Sequence, residues 1–205
     1  MIAVEVSPLA PDEIPAAVGV LSRGMRDNPI HVAVFGRDPE RRVRLLARTF
    51  TTLLTAMANT PLVARRDGQV VGVLGVAVSP ACMPSMPQLI RFAPQLARMG
   101  PITAVRMARW LRAWSQRDPA DRHSHLGPVA VDLGLQRHGI GGQMMAVYCS
   151  LLDDEGLAGY LETDKPENVT FYERSGFVTV ANASVLEVPN WFMRRPPRDA
   201  TSRRL

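Results

Sequence analysis

Val129-Ala130-Val131-Asp132-Leu133-Gly134-Leu135-Gln136-Arg137-His138-Gly139-Ile140-Gly141-Gly142 is the stretch on which the fold turns. The apolar start reads as a buried strand. Leu133-Gly134-Leu135 reads as a loop. Glycines then open a helix from Gly139 to Glu155, with Ile140, Met144, Val147, Tyr148 and Leu151 on one side. Gly139, Gly141 and Gly142 carry no Cβ, so a ligand can approach the backbone closely. The first N–H groups of the helix have no intrahelical partner. With the positive end of the helix dipole they form an anion site suited to a pyrophosphate. The dipole alone supplies only about 0.3–1 kcal/mol. Several N–H hydrogen bonds must therefore carry the affinity, with charge or donors added by Arg137 and His138. On this piece alone, a glycine turn serving only tight strand–helix packing stands as the alternative. A Walker loop is excluded, because it needs Gly-Lys-Ser/Thr and the only lysine is Lys165. The dinucleotide fingerprint G-x-G-x-x-G does not match either, and no acidic residue ends a second strand about 20 residues on.

Working outward, His125–Asp132 is the whole strand, Ala158–Thr163 the next, and Glu167–Ser175 a short helix. Gly176 to about Val188 and Trp191–Arg194 read as closing strands. Upstream, residues 2–6 alternate as an opening strand, and Asp12 is placed to cap a helix running to about Gly24, with Ile14, Val18 and Leu21 on one face. Asp27 to Pro39 is rich in turn residues and reads as a loop. Pro39 opens a helix to about Asn59, with Val43, Leu46, Phe50, Leu53, Leu54 and Met57 as its stripe. Strands Leu62–Arg66 and Gln69–Val78 are joined by Asp67-Gly68, a strong hairpin signal. Residues 80–120 hold six prolines between helical pieces, an insertion of one or two helices long enough to wall or cover a site. Strands alternating with helices and ending in a hairpin-like pair give a mixed α/β sheet.

Composition limits the function. At 205 residues, 46% hydrophobic and 21% charged, the chain has material for one well-filled core. Two cysteines cannot form a disulfide framework. No apolar run approaches a membrane span, and the N-terminus lacks the pattern of a secretory signal, so a cytoplasmic protein is expected. The net charge is +5, but the last twelve residues contribute +4 of it through five arginines against Asp199. A basic tail over residues 196–205 is thus expected to be disordered, with no basic face for nucleic acid on the body. His123 and His125 lie two apart without a third ligand nearby in sequence, so no metal is expected. Cys149, on the helix among apolar neighbours, reads as a small core residue.

A second constellation is Leu161-Glu162-Thr163-Asp164-Lys165-Pro166-Glu167-Asn168-Val169-Thr170-Phe171-Tyr172-Glu173-Arg174-Ser175-Gly176-Phe177. Glu162 lies on a strand, and Tyr172 lies on the next helix one turn past Asn168. The Gln136-x-x-Gly139-x-Gly141 loop after Val129-Ala130-Val131 resembles motif A of the GNAT N-acetyltransferases. Residues 161–177 resemble the second half of that domain, and the order of pieces from the Asp12 helix to Trp191 is similar to members of the puromycin N-acetyltransferase type. The match covers residues 125–195 most closely.

The resemblance implies one GNAT domain over residues 1–195. It implies a mixed sheet of six to seven strands, helices on both faces, and a splayed central pair holding acetyl-CoA as co-substrate. Pro128 fits the splay, because it removes a ladder donor. By the same resemblance, Val129, Ala130 and Val131 would line the pantetheine arm. Gln136, Arg137, His138, Gly139, Ile140, Gly141 and Gly142 would hold the pyrophosphate. An N–H near Val129 would face the acetyl oxygen. Asn168 would help hold CoA, or else cap its helix. Tyr172 would protonate the departing thiolate, a transfer uphill by about 1.5 pH units on reference values, or about 2 kcal/mol. Glu162 would accept the amine proton, or else serve a structural hydrogen bond. Against an alkylammonium its reference pKa is mismatched by about 6 units. The expected activity is transfer to a primary amine of a small molecule, with protein acylation and a non-catalytic acyl-CoA-binding module as alternatives. A homodimer is possible on the same grounds.

Overall fold

In the computed structural model, which describes residues 2–56, 61–82 and 86–198, seven strands form one sheet in the order β1-β2-β3-β4-β5-β7-β6. The strands are β1 (Glu5–Pro8), β2 (Leu62–Arg66), β3 (Gln69–Val78), β4 (His123–Val131), β5 (Ala158–Thr163), β6 (Val178–Val185) and β7 (Val188–Arg195). Only β4 and β5 run parallel; every other neighbouring pair is antiparallel. The helices are α1 (Ile14–Gly24), α2 (Pro29–Phe35), α3 (Pro39–Ala56), α4 (Met86–Arg98), α5 (Pro101–Ser115), α6 (Ile140–Glu155) and α7 (Pro166–Glu173).

Successive strand residues point to opposite faces, and the two faces gather different helices. On one, Val63 and Val73 pack with Ala17 and Leu21 of α1, Ile30 and Phe35 of α2, Leu46 and Phe50 of α3, and Trp110 of α5. On the other, Leu62, Ala64, Leu74 and Leu161 pack with Ile140, Met144, Tyr148 and Leu152 of α6 and Tyr172 of α7. Each large side chain buried this way contributes about 1.5–3 kcal/mol. The Asp67-Gly68 turn has φ of +51° and +74°, the positive pair a tight hairpin requires.

The N-terminal third corrects three expectations. The first strand starts at Glu5, because its register is set by pairing Glu5–Pro8 with Arg65–Leu62. Asp12 caps nothing: it lies inside a 3-10 turn, Pro11–Glu13, where Glu13 Oε2 accepts the Ala10 N–H at 2.8 Å. Residues 27–39 are not all loop. Pro29 fixes a first helical φ, and Gly36 stops the helix at φ +94° after seven residues. The expected end of α3 near Asn59, Met57 with it, lies outside the described residues, as do residues 199–205 of the basic tail. The insertion is two helices, α4 and α5, and α5 packs on α2. No described helix is long and apolar enough to cross a membrane.

The sheet splits in the middle. β4 and β5 pair only over His123↔Ala158, Ser124↔Gly159 and His125↔Tyr160. Beyond that, β4 bulges at Gly127-Pro128, where its register on β3 shifts. Gly75 on β3 permits the bulge: a Cβ there would stand 2.5 Å from the Gly127 carbonyl oxygen.

Candidate active site

The split opens into a cleft of about 1400 Å³. One wall is the freed edge of β4. The Asp132 N–H donates to Val71 O on β3 at 2.8 Å. By strand alternation, Val131 and Val129 therefore turn their own N–H and C=O groups away from β3, toward the cleft. The Val131 carbonyl accepts the Gln136 side-chain amide at 3.1 Å, which ties the loop back to the strand.

The floor is the start of α6. Gly139 is its N-cap at φ +87°, a left-handed conformation that a side chain would strain, and Arg137 sits at φ +64°. Ile140, Gly141 and Gly142 follow on the cleft wall. His138 is exposed and turned back, with Nδ1 at 2.8 Å from Gln136 O, and does not line the cleft. His138 instead serves through its carbonyl, which receives the Ile2 N–H at 3.1 Å.

The far wall is α7. Asn168 lines the cleft and donates to Thr163 Oγ1 at 3.2 Å; Lys165, not Asn168, is the N-cap. Tyr172 also lines the cleft, 7% exposed, with edge contacts to Phe171 and Phe177. Burial, with the Asp164 carboxylate adding to it, raises the Tyr172 hydroxyl above its ordinary pKa. The hydroxyl therefore keeps its proton well above neutral pH. Asp164 Oδ2 accepts the Ile30 N–H at 2.6 Å, and this pins the start of α2 beside the cleft. Cys149 is half-buried: it packs against the core beneath α6 and also lines the cleft, its Sγ 3.7 Å from Ser175 O.

Glu162 stands apart. It lies two residues past the last β4–β5 pair, its side chain 2% exposed, and is not among the residues lining the cleft. Its Oε2 accepts from His125 Nε2 at 2.8 Å, while Oε1 is buried without a hydrogen-bond partner. His125 Nδ1 in turn faces Asp118 Oδ1 at 3.4 Å. His123 Nε2 lies 3.3 Å from the same oxygen, and Cys82 Sγ 3.9 Å from His123 Nε2. Burial alone would lower both imidazoles; the carboxylates of Glu162 and Asp118 raise His125, while Cys82, the Asp121 carbonyl and Asp118 raise His123. Burial likewise opposes the Cys82 thiolate, and hydrogen bonds from the two imidazoles hold its pKa below the ordinary value. The third and fourth groups that the His-x-His pair lacked in sequence are thus supplied by the fold. Only that pair was a local signal; Cys82 and Asp118 lie on either side of α4 and α5.

The sequence profile of the acetyltransferase (GNAT) family matches residues 30–177, so this chain belongs to that family. Among solved structures it resembles the histone acetyltransferase HPA2 and related acetyltransferase from Corynebacterium glutamicum, at 22% identity and TM-score 0.73, over 98% of this chain and 99% of that one. It also resembles the polyamine N-acetyltransferase of Drosophila melanogaster, at 13% identity and TM-score 0.64, over 94% and 99% of the two chains. A third likeness is the ribosomal-protein-S18-alanine N-acetyltransferase of Escherichia coli, at 14% identity and TM-score 0.58, over 97% and 96%. At such identities these likenesses establish a shared fold.

Proposed function

We propose that this N-acetyltransferase moves an acetyl group from acetyl-CoA to a primary amine of a small molecule by direct attack. The observation that carries the reading is the junction of three features in one cleft: the freed β4 edge, the glycine-opened start of α6, and the Tyr172 hydroxyl. Acetyl-CoA supplies the activated thioester. The Val129 backbone and the Val131 N–H meet its amide-bearing arm, and the N–H groups of Arg137, Gly139, Ile140, Gly141 and Gly142 hold its pyrophosphate. The Val129 N–H, beside the bulge, faces the acetyl oxygen and stabilises charge developing there.

Glu162 Oε1, recessed behind the cleft wall, takes the proton of the attacking amine through a water relay as the new carbon–nitrogen bond forms. Tyr172 gives its proton to the sulfur as the carbon–sulfur bond breaks, and solvent returns a proton to it. His125 fixes the Glu162 carboxylate by its Oε2. A recessed carboxylate suits a slender amine over a folded protein surface. The insertion supports this, since Tyr160 donates to Arg117 O at 2.8 Å and closes the end of the sheet near Glu162. The polyamine acceptor of the Drosophila relative is in keeping with it.

The test is a calorimetric titration with acetyl-CoA beside a melting scan, followed by thiol-release assays on polyamines, arylalkylamines and peptide N-termini. Acetyl-CoA at a hundred times its Kd should stabilise the fold by about 2.7 kcal/mol. Small amines should turn over faster than peptides. No acetyl-CoA binding by folded protein overturns the reading, and turnover confined to peptides overturns its acceptor.

A further inference from the structure

The Cys82–Asp118–His123–His125 group has the composition, spacing and support of a metal centre. Each residue offers one donor atom, and the four lie within 4.8 Å of one another. In a tetrahedron the ligand–ligand edge is about 1.63 times the bond, so zinc bonds of about 2.0–2.1 Å to N and O place those donors about 3.3–3.4 Å apart. The distances to Asp118 Oδ1 are 3.3 Å from His123 Nε2 and 3.4 Å from His125 Nδ1. A bond of about 2.3 Å to sulfur lengthens its edges to about 3.5–3.6 Å. Cys82 Sγ stands 3.9 Å from His123 Nε2, slightly beyond that edge.

The outer nitrogens are held as in metal-bound histidines. His123 Nδ1 is 2.8 Å from Asp121 O, a carbonyl that can only accept, so this nitrogen carries the hydrogen. His125 Nε2 donates to the Glu162 carboxylate. Both inner nitrogens are then free to present lone pairs to one point. Asp118 Oδ1 and His125 Nδ1 are buried there without hydrogen-bond partners. Acceptors facing one another across 3.3–3.4 Å repel unless a proton or a metal cation lies between them. One thiolate and one carboxylate with two neutral imidazoles carry the charge that neutralises a dication, and sulfur with nitrogen at tetrahedral spacing selects zinc.

We propose that Cys82, Asp118, His123 and His125 form a structural Zn²⁺ site. All four positions are filled by the protein, so the site is closed. Cys82 precedes α4 and Asp118 follows α5, so one ion fastens both ends of the insertion to β4. It also sets His125, and through it the Glu162 carboxylate.

The test uses the full chain without acetyl-CoA or amine. Elemental analysis after growth with zinc should give one zinc per chain. After removal of metal by a chelator, titration with Co²⁺ alone should give strong tetrahedral d–d bands and a thiolate-to-cobalt charge-transfer band. Cys82→Ser should abolish the charge-transfer band, and Cys82→Ser and His123→Gln should each weaken Zn²⁺ affinity at least about tenfold. A weak octahedral cobalt spectrum or substoichiometric zinc in the wild type overturns the proposal whether or not the variants fold. Full metal retention by both variants overturns it as well, by placing the metal elsewhere.

Discussion

Replacing Tyr172 by phenylalanine removes one oxygen from the cleft wall and little else. The ring keeps its neighbours, Phe171 at 5.1 Å and Phe177 at 6.2 Å between centroids. Burial and the Asp164 charge are the influences on the hydroxyl, and no hydrogen bond to a described residue is among them. Its deletion therefore orphans no partner, and the fold should change by less than about 0.5 kcal/mol. Catalysis should change far more. Loss of a positioned general acid costs about 10²–10⁴ in rate, or about 2.7–5.4 kcal/mol of barrier at 1.36 kcal/mol per decade. The assay is thiol release under saturating acetyl-CoA and amine, with a melting scan and an acetyl-CoA titration beside it. The expected result is a collapse of kcat, with melting temperature and acetyl-CoA Kd near wild type. Because the pKa is raised, the acid form persists as pH rises, so Tyr172 should cause no loss of activity below about pH 10. A kcat within threefold of wild type would refute the assignment. A fall in kcat matched by an equal loss of acetyl-CoA affinity would make Tyr172 a binding group only.

The two ends of the glycine loop should respond with opposite signs. Gly139→Ala forces a side chain into φ +87° and should cost about 1–2 kcal/mol of stability and weaken acetyl-CoA binding. Gly142→Ala adds a Cβ that meets nothing within 4 Å and should stabilise by up to about 1 kcal/mol, with both effects read by denaturant titration. Arg65 holds the Glu13 carboxyl below its ordinary pKa, with a 2.6 Å contact to Oε1. That stabilisation is full above the unfolded value of about 4.3 and fades as pH falls through the lower folded value. Arg65→Ala should thus cost about 1–3 kcal/mol at pH 7 and progressively less toward pH 2, as followed by unfolding curves across that range. Arg42 is 4% exposed and bonds Gly36 O at 2.6 Å and Asp27 Oδ1 at 2.8 Å. Arg42→Ala should cost about 1–3 kcal/mol in the same assay, by leaving the Arg26 and Gly36 carbonyls unpaired, while the exposed Asp27 keeps Arg26.

The C-terminal half was legible because its signals are local. Strand, glycine loop and helix follow one another within a few turns, and β5 spans the residues its pattern predicts, Ala158–Thr163. Most cleft residues fall in the same run, but Gly24, Met25 and Asn28 come from the N-terminal third, and His138, predicted with the run, bonds its own loop and does not line the cleft. The N-terminal third was less legible. α2 is seven residues long, too short for a period to emerge, so its Asn28-Pro29 start and Gly36 stop read as turn chemistry. Glu162 was visible as a strand carboxylate. Its neighbours were not, because Asp118 and Cys82 reach His125 only when α4 and α5 fold back across the end of the sheet.

The three-rung junction between β4 and β5 divides the sheet into halves of four and three strands. An unpaired strand edge is ordinarily a hazard at a protein's periphery, where another chain can add itself. Here such an edge lies inside the molecule, between α6 on one side and α7 on the other. On the function proposed above, the groups left free there meet a linear molecule with amides of its own. The fold thus keeps hydrogen-bonding capacity unspent at its centre, and the ligand takes the place that a further strand would otherwise fill.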